Sequence, residues 1–182
     1  PQTGWFSNKP GDMSEACAEA DMLALAIRLS DIGAGDYWED AEAIIRNQLS
    51  EQQLIDAVRL GQASREGPSM PPAGQGTPKG MGDFEPEPAV LPGQLETQDV
   101  IERAWGIFAG VSAPESVPNV WSMQCCTANG SQGLYYAWES AARCYDGLTQ
   151  VNLLLNRASA RLDVESHLPY EGRIVLRNKA TQ

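Results

Sequence analysis

Basic residues are scarce in this chain, and they do not cluster. Thirteen lysines and arginines stand against twenty-four aspartates and glutamates, for a net charge of −11 and a pI near 4.4. Nucleic acids and anionic membrane surfaces are recognised through grouped cations, so this balance argues against either partner. Long apolar runs are missing as well. No stretch reaches the roughly eighteen apolar residues that a spanning helix needs, so no segment reads as a membrane span. Cysteine is sparse: four in 182 residues do not make a disulfide scaffold, and no C-x-x-C pair of the zinc-finger kind occurs. Histidine occurs once, as His167 ahead of Pro169-Tyr-Glu-Gly172, where a surface or turn role is expected rather than catalysis. The chain opens on Pro1 rather than on methionine and closes just after a strand-like run, so it reads as a piece of a larger protein. Its length still suffices to bury a real core.

What the chain does hold is an unusual placement of three of its cysteines. Cys125 and Cys126 are adjacent, in Trp121-Ser-Met-Gln-Cys-Cys-Thr-Ala-Asn129, just ahead of a helical run. Gly130 and Gly133 are read as sources of backbone freedom there, and Ser131 as the N-cap of the following helix. A helix start lends positive potential, which favours a thiolate over a thiol. Taken alone, the pair could be two buried structural thiols, a strained vicinal disulfide, or a metal or nucleophile site. Far upstream, Ser14-Glu-Ala-Cys17 sets a carboxylate and a thiol two positions apart at the mouth of a helix. One carboxylate and three thiolates make a plausible four-ligand set for zinc.

Periodicity organises the rest. Met13–Ser30 reads as a buried helix with one stripe of Cys17, Ala20, Ala24 and Ile27 and another of Met22, Leu25 and Leu29; Gly33 and Gly35 end it. Asp36 followed by Glu39 is a capping-box signal for a second helix, whose core stripe is Trp38, Ala41, Ile45 and Leu49. Asn47 and Gln48 are expected to be structural polar groups, and Leu54–Leu60 is expected to continue helically. Residues 61–95 carry seven of the twelve prolines and seven of the seventeen glycines, and so are expected to be a long loop or short extended pieces rather than a packed element. Thr97 is read as the cap of a third helix with Val100, Ile101, Ala104, Trp105 and Phe108 inward. A fourth helix is expected to run to about Tyr145, with Leu134, Trp138 and Ala141 inward and Cys144 as a core residue in its last turn. Beyond Asp146-Gly147 the period becomes alternating, and Gln150–Asn156, Ser159–Val164 and Arg173–Arg177 read as strands. The fold class expected is therefore mainly α with C-terminal β. Trp5 and Phe6, near the start, are expected in the core, with stacking on a sugar ring as the other reading.

Glu15-Ala-Cys17, Gly35-Asp-Tyr-Trp-Glu-Asp40, Ile45-Arg-Asn-Gln-Leu49, Cys125-Cys-Thr-Ala-Asn129 and Asp146-Gly-Leu-Thr-Gln-Val-Asn-Leu153 follow one another in a telling order. The series resembles the β-L-arabinofuranosidase family of glycoside hydrolases, family 127, and its uncharacterised relatives. The resemblance implies that residues 1–147 are the end of an (α/α)6 barrel and residues 148–182 the start of a β-sandwich. It implies zinc ligation by Glu15, Cys17, Cys125 and Cys126, with Cys125 as the catalytic nucleophile acting on a carbohydrate substrate. Thr127 and Ala128 stand where the family often has two prolines, which implies a distant branch. The family's general acid, a glutamate upstream of the E-x-C, would fall at or before Pro1. The chain by itself is accordingly expected to be inactive or nearly so.

Overall fold

The structure is a computed structural model and describes residues 14–58, 60, 61, 99–112 and 124–179. Trp5, Phe6, Thr97 and all but the first residue of the 61–95 loop lie outside the described residues. A short strand β1 (Ser14–Glu15) leads directly into helix α1 (Ala16–Asp31). Alanine, leucine and isoleucine make up more than half of α1, and it holds neither glycine nor proline, a strongly helical composition. Its buried face is Ala16, Glu19, Ala20, Leu23, Ala26 and Ile27. The expected stripes are thus rotated: Ala20 and Ile27 stay in, Leu25 is exposed, and Cys17 and Met22 only pack against the core from its edge. Gly33 ends the helix at φ +72°, and the N–H of Ala34 closes onto the carbonyl of Leu29 at 2.9 Å.

Helix α2 (Trp38–Ile44) continues through a π-helical turn, Ile45–Leu49, and a 3-10 turn, Ser50–Gln52. Asp36 stands one residue before the cap position and accepts the Trp38 N–H at 3.3 Å. The stripe of Ala41, Ile45 and Leu49 is buried as expected, with Trp38 packed beside it. Gln48 is buried and Asn47 is exposed. Beyond Gln52 the helix does not simply continue. Gln53 bridges Phe108 in antiparallel fashion, the Leu54 N–H donates to the Ile107 carbonyl at 2.8 Å, and the Ala109 N–H donates to the Gln52 carbonyl at 2.9 Å. Main-chain groups that a helix would use internally are taken by this neighbouring segment.

The same pairing cuts the third helix short. Helix α3 (Val100–Ala104) stops before Trp105, which is exposed and donates its indole N–H to the Ile55 carbonyl at 2.7 Å, while Phe108 sits buried in the bridged segment. Strand β2 (Val111–Ser112) then pairs with β1, Ser14 opposite Ser112 and Glu15 opposite Val111.

Helix α4 (Gln124–Ser140) begins before the cysteine pair rather than after it. Ser131 is therefore no cap: it lies inside the helix and donates its hydroxyl to the Thr127 carbonyl one turn back, at 2.8 Å. Strands β3 (Ala142–Tyr145) and β4 (Leu148–Val151) form a hairpin. Its turn is Asp146-Gly147, both at positive φ, as a primed two-residue turn requires. That turn pulls residues 142–145 out of the expected helix. Cys144 is consequently exposed on β3, 3.4 Å from the Thr149 hydroxyl, and not a core residue. Trp138 is exposed too, with the Arg157 guanidinium 5.2 Å over its ring, whereas Ala141 is buried and Leu134 packs on the core. Strands β5 (Leu162–Ser166) and β6 (Ile174–Asn178) pair antiparallel, each displaced toward the C-terminus of its expected span.

The main core joins α1, α2 and α4 through Leu23, Ile27, Ile44, Leu49, Phe108 and Ala137, with Leu153 beneath them. The sheets are three separate two-stranded pairs, so the described residues assemble no sandwich, and their helices are too few to close a barrel. Among the described residues no helix is long and apolar enough to cross a membrane.

Candidate metal centre

Two segments more than a hundred residues apart meet where α1 and α4 begin. The β1–β2 pairing and the Ala16 N–H···O=C bond to Gly110, 3.4 Å, anchor Glu15 immediately ahead of α1. Cys17 follows in the first turn of α1, and Cys125 and Cys126 occupy the first turn of α4. Close approach of these helices depends on Gly133. A Cβ there would lie 3.1 Å from the Ala20 Cβ and 2.9 Å from a Leu49 methyl. A Cβ at Gly130 would lie 2.5 Å from the Phe108 ring. Both glycines serve contact between packed elements rather than freedom in a turn.

The result is a single cluster. One ligand atom from each of Glu15, Cys17, Cys125 and Cys126 lies within 4.8 Å of every other. The Cys126 sulfur is 3.4 Å from that of Cys17, 3.7 Å from that of Cys125 and 3.8 Å from the Glu15 Oε1. A tetrahedral ion with sulfur bonds of about 2.3 Å requires sulfur–sulfur edges near 3.8 Å. The donor set and its spacing therefore fit a metal ion. Three of the four donors lie in first helical turns, where the positive end of the helix favours a thiolate ligand over a thiol.

The four side chains differ in exposure. Cys126 is 0 % exposed, with its sulfur 3.6 Å from the Gly110 carbonyl; Glu15 and Cys17 are half-buried, and Cys125 is exposed. All four cysteines of the chain are free thiols. Burial pushes the Cys126 thiol well above its ordinary range, with Cys17 and Cys125 beside it adding to the effect. Burial raises Cys17 as well, against an opposing hydrogen bond from Asn129. Both sulfurs thus hold their protons at neutral pH in the protein alone, and a bound cation is what reverses that preference.

The four sequence-derived ligands come together. His167 does not join them: it lies in the β5–β6 connection, its Nδ1 3.3 Å from Arg173. Sequence reading missed Ser14 and Glu19, both fully buried and hydrogen-bonded to each other at 2.5 Å. The one available signal was a glutamate on the apolar face of α1. The chain matches no protein-family profile, no curated protein and no solved structure.

Proposed function

We propose that the chain carries the nucleophile and metal ligands of a retaining glycoside hydrolase of the β-L-arabinofuranosidase type. In this reading Glu15, Cys17, Cys125 and Cys126 hold a zinc ion, and the helices belong to the end of an (α/α)6 barrel with the hairpins opening a β-sandwich. When bound, zinc supplies the positive charge that keeps the clustered sulfurs deprotonated at neutral pH. The Cys125 sulfur attacks the anomeric carbon; a carbon–sulfur bond forms as the glycosidic carbon–oxygen bond breaks, and an acid protonates the departing oxygen. Water then displaces the sulfur, so two inversions leave the configuration retained. Most retaining enzymes place a carboxylate where Cys125 stands.

The observation that carries this reading is the unequal exposure of the adjacent cysteines. Cys125 is open to solvent while Cys126 is sealed beneath it, so one sulfur of the cluster can meet a substrate. A closed structural site has no use for an exposed ligand edge. The test is mass spectrometry after reaction of the zinc-loaded chain with a haloacetamide derivative of arabinofuranose. Cys144, also exposed, is an internal control for indiscriminate alkylation. Selective labelling of Cys125, suppressed by excess arabinofuranoside, is the expected result; equal labelling of Cys125 and Cys144 would refute it.

A second reading is a non-catalytic zinc-stabilised domain. It is favoured by one observation: the ligands come from two helices packed on each other, so that an ion would staple α1 to α4. Under that reading Cys125 shows no sugar-directed reactivity, although zinc still binds.

A further inference from the structure

We infer that Glu19 is a positioning residue for the metal centre, acting through Ser14 to hold Glu15 toward the three sulfurs; this rests on the metal-site reading above. Glu19 is 0 % exposed on the face of α1 that otherwise buries Ala16, Ala20, Leu23, Ala26 and Ile27. Its Oε1 accepts the hydroxyl of Ser14 at 2.5 Å, and Ser14 is itself 0 % exposed.

Ser14 is the residue immediately before Glu15. The strand that holds both is only two residues long, and it is paired to an equally short partner through Ser14–Ser112 and Glu15–Val111. So brief a ladder fixes direction weakly. The side-chain bond from the first turn of α1 back to Ser14 adds the restraint that sets the chain's entry into the helix. Glu15, caught between that bond and the helix start, is thereby aimed so that its carboxylate lies 3.8 Å from the Cys126 sulfur. Groups hydrogen-bonded directly to a ligand are typically worth about 10–100-fold in metal affinity, and Glu19, which acts one residue further back through Ser14, belongs at the lower end of that range.

The test compares the chain with Glu19→Ala, Glu19→Gln and Ser14→Ala. Zinc affinity is read by competition with a chromophoric chelator, and the coordination sphere by the visible spectrum of the cobalt(II)-substituted protein. Glu19→Ala and Ser14→Ala are expected to lose about tenfold or more in affinity and to shift the cobalt bands, with helical content by circular dichroism unchanged. Glu19→Gln retains an oxygen acceptor for Ser14 and is expected to stay within a few-fold of the parent. If Glu19→Ala fails to fold, Ser14→Ala, a far smaller truncation, decides the matter. Parent affinity and spectrum in Ser14→Ala would overturn the inference, as would equal losses in Glu19→Gln and Glu19→Ala. A parent chain that binds no zinc would remove the metal-site reading itself; a parent that binds, with all variants unchanged, would remove only the role of Glu19.

Discussion

Cys125 and Cys126 are neighbours in the chain but not in environment, and the difference is set by where α4 begins. Because both lie in its first turn, successive side chains diverge by about 100° around the helix axis, and one sulfur is buried while the other is exposed. The four clustering residues were legible beforehand as a candidate ligand set in the E-x-C and C-C pairs. The unequal burial was not, because it required knowing that the helix starts at Gln124 and not after Gly130. Burial also fixes a pH dependence. Cys17 and Cys126 are raised by desolvation and bind metal only as thiolates, so zinc binding must release their protons. Affinity for zinc should therefore rise with pH, by about a factor of ten per pH unit for each thiol proton displaced. Chelator competition between pH 6 and pH 8, paired with proton release measured in weak buffer, checks this. A pH-independent affinity would mean that the buried sulfurs are not ligands.

At the scale of elements, the glycines of α4 were the most misleading residues in the sequence. Glycine ordinarily signals a turn, and that rule works at Gly33 and Gly147, which have positive φ. Gly130 and Gly133 obey a different constraint. They lie within α4, where neighbouring elements leave no room for a Cβ. Local pattern cannot reveal such a contact, since it depends on which helix packs where. The same blindness explains why the helix expected from Leu54 is helical only from Ala57 and why the third stops before Trp105, where main-chain bonds to a distant segment replace bonds within a helix. The hydrophobic stripe of Ala41, Ile45 and Leu49 was legible because burial follows helical spacing directly. Substitution at the two glycines has a definite sign. Alanine in a helix interior gains about 1 kcal/mol over glycine, but overpacking costs about 1–3 kcal/mol. At Gly130 the obstacle is the Phe108 ring, 1 % exposed, so Gly130→Ala should lower stability by up to about 2 kcal/mol net. Gly133→Ala, which meets the end of a leucine side chain first, should lose less. Urea denaturation checks the order, with Gly172→Ala, where a Cβ meets nothing within 4 Å, as the neutral control.

For the whole molecule, the candidate metal centre brings together two distant parts of the chain. Glu15 and Cys17 open the described chain, Cys125 and Cys126 come more than a hundred residues later, and the main core lies between the helices that these four residues begin. An ion bound to all four would have no counterpart in the unfolded chain, where the pairs are separated, so its binding free energy becomes folding free energy. At free zinc a hundredfold above the dissociation constant, this amounts to about 2.7 kcal/mol. For a chain of this size each kcal/mol moves the melting temperature by about 2–4 °C, so zinc should raise it by roughly 5–10 °C, and a chelator should reverse the change. The variants separate the roles of the cysteines. Cys126→Ser replaces the fully buried sulfur at the centre of the cluster and should abolish most of the zinc-dependent shift. Cys125→Ser touches the exposed edge, and should keep a substantial part of the shift while losing the sugar-directed labelling. Thermal scans of the three proteins with and without zinc make the comparison. A shift that survives intact in Cys126→Ser would show that the ion sits elsewhere in the molecule, because no tetrahedral arrangement of Glu15, Cys17 and Cys125 retains its strength with that central sulfur gone.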